Sequence, residues 1–140
     1  VKGAVIDASV AIKWFIPEIH SPAAAKLLTG KRSLYAPDLI YAEVGNTLWK
    51  KWKRGELKPE EALAVLEDFK RFPLISTPCE NLAGTSWAMA EKTAITFYDA
   101  LYVALAFLEN SPLITADNKL RRSLINNPFG IQVIWIEDIQ

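Results

Sequence analysis

Asp7, Glu43, Asp99 and Asp117 each sit inside or against an apolar segment of the chain. Asp7 ends Ala4-Val5-Ile6, and Glu43 interrupts Leu39-Ile40-Tyr41-Ala42. Asp99 opens the run from Ala100 to Leu105, and Asp117 follows Leu113-Ile114-Thr115-Ala116. A carboxylate is rarely buried without a partner, and no Lys or Arg stands next to any of these acids. Gathered by a fold, they would repel and raise one another's pKa values. A hard divalent cation relieves that conflict, because Mg2+ and Mn2+ take carboxylate oxygens at roughly 2.0–2.2 Å. The chemistry that uses such a site is phosphodiester hydrolysis, in which bound metal lowers the pKa of a water, orients it in line and neutralises the leaving oxygen. Each acid also has a plainer role. Asp7, Asp99 and Asp117 stand at helix starts, where Asp is a favoured cap or first-turn residue, and Glu43 alone fits a partly exposed helix position.

Two hydroxyls accompany the acids: Ser9, two residues after Asp7, and Thr115, two before Asp117. Either could orient a carboxylate or a metal-bound water, while Ser9 also suits a simple helix cap. Asn46 and Lys50 continue a polar stripe from Glu43 at i+3 and i+7. Lys119 and Arg122 follow Asp117 closely, and Lys13 lies about one turn beyond Ser9, so these three are the candidate phosphate contacts. The same cations, and the cluster Lys50, Lys51, Lys53 and Arg54, also read as solvated helix faces. Other chemistries lack their residues. His20 is the only histidine and reads as a turn residue beside Ser21-Pro22. No Ser-His-Asp or Cys-His set is present, nor a GxxxxGK[ST] or GxGxxG loop. The single Cys79 offers neither an internal disulfide nor a CxxC pattern, which points to a reducing, cytoplasmic setting.

The elements that must position these residues follow from the pattern of apolar runs and breakers. A strand over Gly3 to Asp7 leads into a helix from Ser9 to Phe15, stopped by Pro17. Ser21 caps a helix that ends at Gly30. A strand over Ser33 to Ala36 precedes a long helix from Pro37-Asp38 to Arg54, closed by Gly55. Lys58-Pro59-Glu60-Glu61 starts a helix with Ala62, Leu63, Leu66 and Phe69 on its apolar face. Leu74 to Thr77 forms a third strand and Leu82 to Lys92 a helix. Another helix runs from Tyr98-Asp99 to Glu109. Pro112 to Thr115 is a fourth strand, Asp117 to Ile125 a helix, and Ile131 to Ile136 a fifth strand. Strands that alternate with helices predict a parallel sheet covered on both faces. Ligands of such sheets bind beyond the carboxyl ends of the strands, where Asp7, Thr115 and Asp117 all fall. Asp99 stands in a first turn that favours an ionised acid. Glu43 lies one turn into its helix, whose other side turns Ile40, Val44, Thr47 and Leu48 to the core.

The 140 residues suffice for one domain over 1–140 with a real core. Net charge is zero, so any nucleic-acid contact relies on local patches rather than a global basic field. No apolar run approaches a membrane span, and no basic stretch followed by a long apolar one suggests a secretory signal.

The segments Val5-Ile6-Asp7-Ala8-Ser9, Ala36-Pro37-Asp38-Leu39-Ile40-Tyr41-Ala42-Glu43, Tyr98-Asp99-Ala100-Leu101-Tyr102 and Ile114-Thr115-Ala116-Asp117 together resemble PIN-domain proteins, most of all the VapC-type toxins of toxin–antitoxin pairs. The resemblance implies a three-layer α/β/α domain with a central, mostly parallel sheet of about five strands. It implies a Mg2+- or Mn2+-dependent endoribonuclease, with Asp7, Glu43, Asp99 and Asp117 as the acidic quartet and Ser9 and Thr115 at accessory positions. It also implies an RNA substrate, a cognate antitoxin, and assembly as a homodimer or dimer of dimers. An RNA-processing nuclease without an antitoxin and a catalytically quiet binding module are the alternatives. Clustered acids count against the latter, since a scaffold would be more stable without them. A haloacid-dehalogenase-like phosphatase would need Asp-x-Asp where this chain has Asp7-Ala8-Ser9, and a receiver domain's early acidic pair and late Lys are missing. Trp14, Phe15, Trp49 and Trp52 are expected mainly in the core, with a subunit or antitoxin interface as their second use and base stacking as a third.

Overall fold

The computed structural model describes residues 3–140. Five short strands build the sheet: β1 (Gly3–Ile6), β2 (Ser33–Pro37), β3 (Ile75–Thr77), β4 (Leu113–Thr115) and β5 (Val133–Trp135). Their order is β3-β2-β1-β4-β5, and every pairing is parallel. Parallel neighbours cannot be joined by a tight turn and need long crossovers. The helices supply them: α1 (Ala8–Ala11), which runs on as a 3-10 turn over Ile12–Trp14, α2 (Ser21–Thr29), α3 (Leu39–Lys53), α4 (Pro59–Arg71), α5 (Cys79–Lys92), α6 (Phe97–Leu108) and α7 (Asn118–Ser123). The result is the expected α/β/α layering, with the sheet wholly parallel.

Composition explains where the elements sit. Ala4, Val5 and Ile6 of β1 have no exposure, as a central strand covered on both faces requires. Every residue of α6 from Ala100 to Ala106 is buried. A helix apolar on all sides has to lie inside the protein, and α6 packs against α5, β1, β2 and β4. By contrast α4 buries only Phe69 completely and carries Glu60 and Glu61 in its first turn, Lys70 and Arg71 in its last, which matches the helix dipole at both ends. The stop of α3 is set by Gly55 at φ 78°. That left-handed residue lets the Gly55 N–H reach the Trp52 carbonyl at 2.9 Å and the Glu56 N–H reach Lys51 at 2.9 Å, a Schellman closure.

Some boundaries differ from the sequence reading. The helix expected over Ser9 to Phe15 tightens after Ala11. Ser21 does not cap α2: His20 occupies the cap position at φ 69°, and the Ser21 hydroxyl instead accepts from the Glu18 N–H (3.0 Å) and donates to the Ile16 carbonyl (3.2 Å). Helix α5 begins at Cys79, three residues early, because Asp38 accepts the Cys79 N–H at 3.0 Å. A cap delivered by a residue 41 positions away leaves no local signal. The fifth strand keeps only Val133–Trp135, and α7 ends at Ser123.

In this order β1 lies between β2 and β4, so successive connections depart from it in opposite directions and leave a crevice at the carboxyl ends of β1 and β4. Ile6 and Ile114 are in register, which puts Asp7 and Thr115, the next residue of each, side by side at that crevice.

Candidate active site

Asp7 leaves β1 as the N-cap of α1, and its side chain is almost wholly buried, with 6% exposure. Both of its oxygens are held. Oδ1 accepts from the Ser9 hydroxyl at 2.5 Å and the Val10 N–H at 3.2 Å, and Oδ2 accepts from the Thr115 hydroxyl at 2.5 Å. Each hydroxyl has its proton direction fixed from behind. Ser9 Oγ accepts the Ala116 N–H and Thr115 Oγ1 accepts the Asp117 N–H, both at 3.0 Å. Ser9 and Thr115 therefore join Asp7 to the chain leaving β4, a link between residues 108 positions apart.

The other three acids come from separate elements. Asp117 caps α7, accepting the Lys119 and Leu120 N–H groups on one oxygen at 2.9 and 3.2 Å. Asp99 lies in the first turn of α6, where its N–H is capped by the Thr96 hydroxyl at 3.1 Å. Glu43, half-buried on α3, accepts a hydrogen bond from the phenol of Tyr102. None of the ion pairs among the described residues involves any of the four.

Burial and the charge of a neighbouring acid act together on Asp7, Glu43 and Asp99. Burial pushes Asp7 up to about 6, against the pull of Ser9, Thr115 and the Val10 N–H, with the charge of Asp117 adding to the rise. Burial also raises Glu43, opposed by the Tyr102 hydrogen bond and reinforced by Asp99. Asp99 is raised by burial first and by Asp117 second, while Thr96 and Lys119 oppose. Repulsion thus links Asp7 to Asp117, Asp117 to Asp99, and Asp99 to Glu43. The donors are all hard oxygens, suited to Mg2+ or Mn2+. Among the described residues no three His, Cys, Asp or Glu side chains close into a cage around one point. An open set fits the chemistry of Mg2+, which keeps several waters and is held by one or two carboxylates together with substrate phosphate. A hollow of about 1100 Å³ at the opposite, amino edge of the sheet, lined by Gly3, Tyr35, Pro112 and Gln132 among others, contains none of the four acids. The acidic edge, not this hollow, is where the four acids lie.

Removing the Thr115 hydroxyl tests how much it holds. Thr115→Val leaves an oxygen of buried Asp7 without its donor and the Asp117 N–H without its acceptor. Urea denaturation near neutral pH should show a loss of about 1–3 kcal/mol. An unchanged midpoint would mean that Thr115 does not support the carboxylate.

With the geometry in place, comparison with known proteins decides the family. The model of the PIN domain matches residues 4–123. The chain belongs to the PIN-domain family. The match runs from β1 through α7 and so contains all four acids. Among curated relatives, Ribonuclease VapC3 of Pyrobaculum aerophilum is 36% identical over 118 residues, 83% of this chain and 90% of that protein. Ribonuclease VapC1 of Mycobacterium tuberculosis is 32% identical over 121 residues, 83% of this chain and 86% of its own. Among solved structures, PAE2754 from Pyrobaculum aerophilum superposes with a TM-score of 0.67 at 23% identity, covering 96% of this chain and 84% of that one. The DNA-bound VapBC from Salmonella typhimurium gives 0.66 at 21% identity, covering 97% and 99%. At those identities the structures speak for the fold.

Within this PIN domain the expected residues divide. Asp7, Ser9, Thr115 and Asp117 are joined directly, and Asp99 and Glu43 share their field. Asn46 is exposed on α3, one turn from Glu43. Lys119 is exposed and acts on Asp99, and Arg122 is exposed on α7. Lys13 is paired with an acid outside the four. Its ammonium contacts Glu18 at 3.0 Å, with Lys51 on the other oxygen of that carboxylate at 3.2 Å. Glu18, four residues past the 3-10 turn, could not be paired with them from spacing alone. His20 contacts Glu137 at 2.5 Å and packs edge-on against Trp135. Trp14 and Phe15 are half-buried against Phe72 and Phe69, whereas Trp49 and Trp52 are 53% and 41% exposed, outside the core. Two features escaped the sequence. Arg121 stacks over Trp135 at 4.8 Å and donates to Asn118 at 2.7 Å. Tyr102 reaches Glu43, and its signal was a lone hydroxyl in an aliphatic run, three residues after Asp99 on the same helix face.

Among the described residues no helix is long and apolar enough to cross a membrane.

Proposed function

We propose that the chain is a divalent-metal-dependent endoribonuclease and the toxin of a VapBC-type toxin–antitoxin pair. The observation that carries this reading is the setting of Asp7: a buried carboxylate at the crevice between β1 and β4, fixed by two hydroxyls and repelled by a second acid. Names of the curated relatives, ribonucleases of the VapC group at 36% and 32% identity, support the substrate class. Asp7, Glu43, Asp99 and Asp117 are the residues that would hold Mg2+ or Mn2+, directly or through water. Bound there, such an ion supplies an activated water and offsets charge on the phosphate. Ser9 and Thr115 keep the Asp7 carboxylate from rotating, and the α7 N–H groups hold Asp117. The open edge admits a polymer from the side, which an enclosed cavity would not.

The test is cleavage of labelled RNA by the pure protein with Mg2+ or Mn2+, with and without a chelator. Cleavage that depends on the ion supports the reading, and cleavage indifferent to the chelator overturns its metal component.

Lys119 and Arg122 are the proposed phosphate-binding residues, exposed on α7 just beyond Asp117. Substituting both by alanine should weaken RNA binding and flatten its dependence on salt. For single-stranded RNA the log–log slope should shrink by about 0.7 for each phosphate that is no longer neutralised. An unchanged slope would remove them from the binding surface. Exposed Trp49 and Trp52, one turn apart on α3, are proposed for contact with a protein partner, an antitoxin or a second subunit, because Trp is enriched at interfaces.

A further inference from the structure

We infer that Tyr102 is a positioning residue for the metal-binding acids: its phenol holds the Glu43 carboxylate at the edge where Asp7, Asp99 and Asp117 meet. The inference rests on the proposed role of those acids and assigns a duty to a residue outside them.

Tyr102 is the largest fully buried side chain of the protein, with 2% exposure. It lies in the middle of α6, where Leu101, Val103, Ala104 and Leu105 are buried as well. A phenol so placed must find a hydrogen-bond partner, and the one it has is Glu43 Oε1, from α3, 59 residues away in the chain. Simple satisfaction of a buried hydroxyl would need only a carbonyl. A carboxylate from another helix is a more demanding choice, because it brings a charge into contact with the core.

The placement along α6 explains that choice. Asp99 and Tyr102 stand three residues apart and so share one helix face. That face carries one acid of the site at its first turn and, a turn deeper, the donor that steadies another. A phenol is protonated at neutral pH, so beside the Glu43 carboxylate Tyr102 is the donor. Glu has one more rotatable bond than Asp, and half-buried Glu43 would otherwise sample several directions. Asp7 and Asp117 are restrained by Ser9, Thr115 and backbone N–H groups. Tyr102 gives Glu43 the same restraint. Residues that orient a metal-binding carboxylate in this way are worth roughly ten- to a hundred-fold in metal affinity.

Tyr102→Phe removes only the hydroxyl. In the full-length protein, Mn2+ affinity measured by calorimetry should fall by about ten-fold or more, with the metal-free melting temperature changed little. Glu43→Gln should also lose affinity, and adding Tyr102→Phe to it should cause no further loss, because the two changes act through one contact. Tyr102→Phe binding Mn2+ like the parent, while Glu43→Gln and Asp7→Asn bind weakly, would overturn the inference and leave the acids in their role. If Glu43→Gln and Asp7→Asn also bind like the parent, the underlying reading of the acids fails instead. Should Tyr102→Phe not fold, the parent protein gives a second measurement. Adding Mn2+ should produce a tyrosine difference absorbance that is missing in Glu43→Gln, and an identical signal in both proteins refutes the link.

Discussion

Asp7→Asn should reduce metal-dependent RNA cleavage by at least about 10²-fold, the scale seen when one preorganised electrostatic group is removed from an active site. The substitution is nearly isosteric, so packing does not carry the effect. In the parent both oxygens of Asp7 accept hydrogen bonds, from Ser9 and Thr115, whose own oxygens already accept backbone N–H groups. An amide has one accepting oxygen and one donating nitrogen. It satisfies one hydroxyl as before and forces the other to turn. More importantly it removes a charge from the cluster, so affinity for a divalent ion should fall together with cleavage. The check is single-turnover cleavage of labelled RNA by both proteins at matched Mg2+ concentration, with circular dichroism to establish that the variant is folded. Equal rates would remove Asp7 from the chemistry.

The same residue dominates the second large effect, the pH dependence of stability without metal. Asp7 rises from an ordinary 3.8 to about 6 in the folded protein, chiefly through burial. A raised carboxyl pKa favours the protonated form in the folded state. The stabilisation is fully present below the unfolded value and is lost as pH rises through the folded one. The window therefore runs from about pH 4 to a little above 6, and the loss from Asp7 alone is roughly 3 kcal/mol. Glu43 and Asp99, both raised, act in the same direction. Glu18 acts oppositely: Lys13 and Lys51 outweigh its partial burial and hold it low, so its contribution is present above its ordinary value and is lost as pH falls. Comparing the parent with Asp7→Asn cancels the Glu18 part. In chelator, urea melts should show the parent losing stability from about pH 4 to about pH 7 much more steeply than the variant. Saturating Mg2+ should restore the parent at the upper end, because an ion that binds only the folded state stabilises it. Parallel curves for the two proteins would show that Asp7 ionises in the fold as easily as in the unfolded chain.

Together these effects describe a site that costs the metal-free protein stability near neutral pH. The acids lie at the carboxyl edge of the sheet because the backbone order places them there, and the hydroxyls, N–H groups and Tyr102 restrain them without neutralising them. Under the proposed function, neutralisation falls to a bound divalent ion.

Much of this was legible in the chain itself, and the reason is locality. Asp7, Asp99 and Asp117 each follow or open an apolar segment, so the segment that makes the strand or helix also announces the acid at its end. Gly55 and Pro59 mark helix boundaries through backbone geometry that depends on those residues alone. The alternation of strands with helices requires crossovers and hence a parallel sheet. Other features are set by residues far apart in sequence, and no spacing rule reaches them. The early start of α5 depends on Asp38. Lys13 pairs with Glu18, and the fold brings Lys51 to the same carboxylate. Trp49 and Trp52 are left outside because the α3 face they occupy is not the one that meets the sheet.

What the sequence by itself determined was the kind of groups on offer: four unpaired acids, two hydroxyls and the secondary structures that end at them. Only the tertiary structure decided their company. The strand order β3-β2-β1-β4-β5 makes β1 and β4 neighbours and sets Asp7 beside Thr115, and the burial of α6 against the sheet brings Tyr102 to Glu43. The physical reason is that hydrogen bonds and charge repulsion act over a few ångströms of space, whatever the separation along the chain, and only packing of the core creates those distances.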